Sequence, residues 1–157
     1  MSDSYFQEII IKKIRADSAE ELAELLQSQP SQYSKYFTPF NFDTETIKGI
    51  LSKSRKDIFF GLFLNNKIIG FYMLRGFDEG FKIPSYGVWI SNKYAGKGLA
   101  KLTLQHSISF CKINNIEQIM LKVHPENTGA KKLYENFGFK PSGIDKKNDN
   151  IIYRLNL

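Results

Sequence analysis

The sequence predicts an α/β fold, a mixed sheet covered by helices on both faces. Three observations predict it. Segments of strand and helix period follow one another as strand, two helices, three strands, helix, strand, helix, two strands. Two β-branched and aromatic runs flank Asn65-Asn66, a hairpin signal. A glycine turn around residue 97 joins an apolar strand to a long helical pattern. With 157 residues, 42% of them apolar and 14% aromatic, the chain is sized for one domain over 1–157 and is no disordered polymer.

Residues 7–15 hold the run Ile9-Ile10-Ile11 and Ile14, a first strand. Asp17 or Ser18 caps the helix that follows. Ser18 and Glu21 stand at capping-box spacing, and Leu22, Leu25 and Leu26 form the apolar stripe up to about Gln29, before Pro30. Residues 31–42 are irregular and aromatic, with Tyr33, Tyr36, Phe37, Phe40 and Phe42 around Pro39. Asp43 or Thr44 opens a second helix carrying Ile47, Ile50 and Leu51. Residues 58–64 and 67–74 are the hairpin arms, because an Asn pair tolerates the left-handed conformation of a two-residue turn.

A loop over 75–85 leads to a strand at 86–90 and then to the glycine turn. The helix from about 97 to 114 ends at Asn114-Asn115, and 118–124 is a short strand stopped by Pro125. Asn127 or Thr128 starts a helix with Ala130, Leu133, Tyr134 and Phe137 on one face and Gly138 as its C-cap. Two last strands, 139–145 and 151–157, flank a polar turn.

Lys and Arg number 22 against 16 Asp and Glu, a formal charge of +6 that favours anionic partners such as nucleic acid, anionic lipid or a phosphorylated cofactor. The basic residues are dispersed, which argues against nucleic acid. Cys111 is a single thiol inside a helical pattern and reads as a buried structural residue. Met1-Ser2-Asp3-Ser4-Tyr5 lacks a basic, apolar leader and no run reaches membrane-spanning length, so the default expectation is a cytoplasmic location with no membrane partner. His106 and His124 belong to no ligand cluster, and no metal is expected.

Gly96-Lys97-Gly98 sits where first-turn amides and the positive end of a helix dipole face an anion, and glycine removes Cβ obstruction. It fits neither the Walker nor the dinucleotide pattern. The second motif, Asn127-Thr128-Gly129-Ala130-Lys131-Lys132-Leu133-Tyr134-Glu135-Asn136-Phe137-Gly138-Phe139, lies on the next strand-helix unit. Together these motifs resemble the GNAT superfamily of acetyl-coenzyme A-dependent N-acetyltransferases, with its loop Gln/Arg-x-x-Gly-x-Gly/Ala and its following Asn-x-x-Ala-x-x-Leu-Tyr-x-x-x-Gly-Phe. The motif resemblance spans residues 84–141 and, by element order, nearly the whole chain. Lys93 stands where the family has Gln or Arg.

The resemblance implies a GNAT-like, mostly antiparallel central sheet and acetyl-CoA as co-substrate. It assigns the pyrophosphate to Gly96, Lys97, Gly98, Leu99 and Ala100, the pantetheine arm to main-chain groups of Val88, Trp89 and Ile90, and a further cofactor contact to Asn127. Tyr134 becomes the candidate general acid for the departing thiolate, the alternative being a packed core tyrosine. Asp78 and Glu79, on the loop entering the central strand, are candidates for the acceptor amine or simply solvated carboxylates. His124 stands either in the cleft or packed beside it.

Neither Ser85 nor Ser91 has a nearby His and Asp in the sequence, which favours direct transfer in a ternary complex over a covalent acyl-enzyme. The implied acceptor is a primary amine of a small molecule. The aromatic segment and the two carboxylates raise an amino sugar. A protein or peptide amine and a non-catalytic CoA-binding module are the alternatives, and the chain is either a monomer or a homodimer.

Overall fold

The computed structural model describes residues 5–157, so the leader reading at residues 1–4 lies outside the described residues. The strands are β1 (Ile9–Lys13), β2 (Ile58–Leu64), β3 (Lys67–Arg75), β4 (Ser85–Ile90), β5 (Gln118–Val123), β6 (Lys140–Ile144) and β7 (Ile151–Asn156). The helices are α1 (Ala19–Gln27), α2 (Thr44–Lys53), α3 (Leu99–Ile113) and α4 (Thr128–Asn136), in the predicted order. One sheet of seven strands results, ordered β1-β2-β3-β4-β5-β7-β6. Every neighbouring pair is antiparallel except β4 and β5.

Strand alternation sends side chains to two separate cores. Phe59, Phe63, Phe71, Met73 and Trp89 pack with Leu22 and Leu26 of α1 and with Ile47 and Leu51 of α2. Phe60, Tyr72, Leu74, Tyr86, Leu121 and Tyr153 pack with Leu104 and Ile108 of α3 and Tyr134 of α4. Helices thus pack on both faces, as the sequence predicts, with α1 and α2 lying over β2, β3 and β4 and leaving β5, β7 and β6 open on that side.

Local chemistry sets the element ends. The Asp43 carboxylate accepts from the Thr46 amide (2.8 Å) and from its hydroxyl (2.7 Å), capping α2. Asn65 and Asn66 take φ of 48° and 66°, the left-handed pair that a tight hairpin needs. The hairpin carries one irregularity that residue types do not announce. Leu62 pairs with Gly70 and Phe63 with Ile68, so Ile69 is an extra residue in β3.

The capping box at Ser18 and Glu21 is not formed. A short 3-10 turn at Ala16–Ser18 leads into α1, so Ser18 already has helical angles and makes no side-chain cap. The Glu21 carboxylate instead accepts from the Ile68 amide at 2.8 Å, tying α1 to β3. Cys111 is fully buried, and burial pushes its thiol up to about 11, which makes it the inert residue expected. Among the described residues no helix is long and apolar enough to cross a membrane.

Candidate functional site

The parallel pair β4 and β5 touches at one point. Ser85 is in register with Met120, and the Met120 amide donates to the Pro84 carbonyl (3.0 Å). Beyond that point no β5 residue pairs with β4, and the strands part towards their C-terminal ends. The wedge between them is a cleft of about 270 Å³, walled by residues 86–90, by Val123 and His124, by Asn127, Ala130 and Tyr134, and by Tyr33 and Tyr36.

Register decides which main-chain groups face this cleft. The Ser91 amide donates to the Ile69 carbonyl (2.8 Å), which makes Gly70 and Ile90 a non-hydrogen-bonded pair. Alternation then turns the amide and carbonyl of Trp89 towards Phe71, and those of Val88 and Ile90 towards the cleft. Of the three strand residues proposed to meet a peptide-like arm, Trp89 therefore contributes no free main-chain group. The Ile90 carbonyl is also engaged, accepting from the Tyr33 hydroxyl. Val88 and the Ile90 amide remain as the open strand edge.

The aromatic loop after α1 is fastened to the end of β4. The Ser34 hydroxyl accepts from the Trp89 indole (3.0 Å), Gln29 Oε1 accepts from the Asn92 amide (2.9 Å), and the Tyr33 ring meets Trp89 edge-on. Tyr36 stacks on His124 with ring centres 4.5 Å apart. His124 Nδ1 accepts from the Glu126 amide (3.1 Å), so the ring proton resides on Nε2. The histidine is both in the cleft wall and packed.

Gly96 and Gly98 have φ of 75° and 79°, left-handed values that permit the chain to double back into α3. Gly98 is the N-cap residue of α3, and no side chain caps this end. The Leu102 amide is the first to close a helical bond, to the Gly98 carbonyl (3.0 Å). The earlier first-turn amides are left facing outward. No acidic residue stands in that turn, whereas α2 and α4 are capped by Asp43 and Asn127. Leu99 anchors the start of the helix by packing with Leu62 and Ile69. Uncapped amides, exposed Lys97 and the helix dipole fit a diphosphate.

Tyr134 reaches the cleft from α4, its ring packed between Tyr86 and Phe139. Every buried side-chain nitrogen or oxygen among the described residues has a partner. The Tyr134 hydroxyl has none within the protein, so it opens into the cleft. Burial holds its pKa well above the ordinary tyrosine value, and it keeps its proton at neutral pH. The Asn127 side-chain oxygen accepts from the Ala130 amide (3.2 Å), leaving its NH2 group for a ligand in the cleft it lines.

Asp78 lies outside the cleft. Its carboxylate accepts from the amides of Lys56 (2.8 Å), Arg55 (3.1 Å) and Asp57 (3.2 Å), and these bonds, that of Lys56 foremost, hold its pKa below the usual carboxylate range. It organises the turn before β2. Glu79 is exposed and lines a second hollow of about 870 Å³, adjoining the cleft, that also includes Arg75, Lys122 and Arg154. Sequence reasoning missed these three cations. They are far apart in the chain, and only the strand register brings them together. Among the described residues no cluster of His, Cys, Asp or Glu could hold a metal ion.

The site thus sits in a seven-stranded sheet parted between its two parallel central strands, with an uncapped glycine turn following the C-terminal end of β4. A family model described as the acetyltransferase (GNAT) family matches residues 19–139, and the chain belongs to that family. N-acetylaspartate synthetase from Xenopus tropicalis is 28% identical over 102 residues, 65% of this chain but 38% of that protein. The chain thus spans well under half the length of the curated relatives it matches. The PaiA N-acetyltransferase from Thermoplasma acidophilum in complex with coenzyme A superimposes with a TM-score of 0.78 at 19% identity, over 96% of this chain and 99% of that one. The ribosomal-protein-S5-alanine acetyltransferase from Vibrio fischeri gives 0.78 at 21% identity, over 98% and 95%. At such identities these two structures share the fold.

Proposed function

We propose that the protein transfers an acetyl group from acetyl-CoA to a primary amine of a small molecule, directly, in a ternary complex. The observation that carries this reading is the unpartnered Tyr134 hydroxyl in the cleft between β4 and β5, with the uncapped α3 turn at the same end of β4. The 96–100 amides and Lys97 hold the diphosphate. Val88 and the Ile90 amide pair with the pantetheine arm as an added strand would, and the Asn127 NH2 group meets it from α4.

The acceptor ammonium first releases a proton to solvent. Its nitrogen then attacks the thioester carbon, the C–N bond forms and the C–S bond breaks. The nitrogen then gives a second proton to solvent, the sulfur takes the Tyr134 proton, and solvent returns a proton to Tyr134, so that a net one proton is released per turnover. A tyrosine kept neutral by burial suits this donor role.

Two features of the chain raise an amino sugar. The rings of Tyr33 and Tyr36 do line the cleft, but Asp78 is committed to amides 55–57, and aromatic walls alone select no sugar. The N-acetylaspartate synthetase relatives, by their name, make an acetylated amino acid, which supports a small acceptor over a peptide. Free-thiol detection during turnover, with acetyl-CoA and a library of small amines and peptides, tests the reading. Thiol release that depends on a small amine is the expected result, and acetyl-CoA binding without transfer to any amine would refute it.

A further inference from the structure

The half of the sheet formed by β5, β7 and β6 has an open face beside the cleft. Met120 and Arg154 lie there, on one lateral row with Arg75 at the end of β3, since Arg75 pairs with Ser85, Ser85 with Met120, and Met120 with Arg154. Lys122 follows on the same face of β5, and Lys147 enters from the turn between β6 and β7. The hollow they line shares Tyr86, Gly87 and Lys122 with the cleft. A molecule held in it has access to the parting of the strands.

Charge in this hollow is unbalanced. Arg75, Lys82, Lys122, Lys147 and Arg154 face one lining carboxylate, Glu79. Two further carboxylates stand behind them: Asp145 is 2.8 Å from Lys122, and Asp57 is 4.0 Å from Arg75. The balance stays positive. Arg154 is half-buried and bonded only to neutral oxygens, Ser142 Oγ (3.2 Å) and Gln118 Oε1 (3.1 Å). A guanidinium with neutral partners gains most from a carboxylate, which it can engage with two parallel hydrogen bonds. Arg75 and Arg154 are three strand spacings apart, roughly 14 Å between backbones; the Arg75 guanidinium rests beside Asp57 and the rings of Phe40 and Phe59, and by turning from them it can meet a small dianion held by Arg154.

We infer that the acceptor is an acidic amino acid, whose carboxylates are held by Arg154 and Arg75 while its amine points into the cleft. This rests on the acetyl-transfer reading and adds the substrate class to it. The hollow selects against cationic amines such as polyamines, which its net positive charge repels.

The test compares kcat/KM for aspartate and glutamate with that for asparagine, glutamine, phosphoserine, glucosamine and spermidine, at fixed acetyl-CoA. The acids are expected to exceed their own amides at least tenfold. Arg154→Gln lowers that ratio at least tenfold through KM, Arg154→Lys restores part of it, and the KM for acetyl-CoA stays put. Arg75→Gln acts in the same direction from another strand. Should Arg154→Gln fail to fold, Lys147→Gln on the exposed turn provides the same readout. Turnover confined to neutral, cationic or phosphorylated amines overturns the inference and leaves acetyl transfer standing, as does an acid-to-amide ratio unmoved by the variants. No turnover with any amine removes both.

Discussion

Removing one hydroxyl from each of two tyrosines in the same core separates chemistry from packing. Tyr72 and Tyr134 both belong to the cluster under α3 and α4. The Tyr72 hydroxyl is 2.6 Å from His106 Nδ1, whereas the Tyr134 hydroxyl has no partner in the protein. Tyr72→Phe breaks that bond and strands a half-buried ring nitrogen, a cost of about 1 to 2 kcal/mol. For a chain of this length that lowers Tm by roughly 2 to 8 °C. Tyr134→Phe keeps the ring contacts with Tyr86 and Phe139 and loses no internal bond, so its Tm is expected to stay within about 2 °C of the parent.

The activities should move the other way. Loss of a positioned general acid costs about a hundredfold or more in turnover, so Tyr134→Phe falls by that factor with acetyl-CoA affinity intact, while Tyr72→Phe retains most of its rate. Calorimetric unfolding and thiol release on the same preparations give both numbers. A Tyr134→Phe protein that is destabilised like Tyr72→Phe yet turns over normally would show that Tyr134 is a packing residue and refute the assignment.

Two further outcomes are expected. Asp78→Asn weakens the anchor on the amides of residues 55–57 and lowers Tm at neutral pH without changing acceptor kcat/KM. Because the folded Asp78 pKa is depressed, its contribution is present above the ordinary carboxylate value and lost as pH falls through the folded one, so the variant also shows a flatter acid limb in thermal melts. At the alkaline end, burial raises the pKa of Tyr72, Tyr86 and Tyr134, and the unfolded chain releases those protons first. Stability is then complete below about pH 10 and declines as pH rises above it. Melts from pH 8 to 11 check this, with a shallower decline in Tyr86→Phe.

The family was legible because its marks are local. Gly96 and Gly98 are glycines for a backbone angle, Asn65-Asn66 for a turn, and Asn127 through Phe139 form one contiguous helix with its caps. Hydrophobic period delivered the helices and the core strands in order, since burial on one face of an element is written in its own residues, while the wholly exposed edge strand β6 was marked by the polar turn beside it. The Ser18 capping box failed because a preceding 3-10 turn, which spacing does not encode, put Ser18 into helical angles.

What the sequence by itself determined is the list of elements, the glycine turn that opens α3 and the Asn127–Phe139 motif that carries Tyr134. Tertiary structure alone decided which backbone groups of β4 are free, that Asp78 serves the fold, and that Arg75, Lys122 and Arg154 line one hollow. Strand register is the reason. A shift of one residue turns every amide and side chain to the opposite side, and register is set by contacts between segments far apart in the chain.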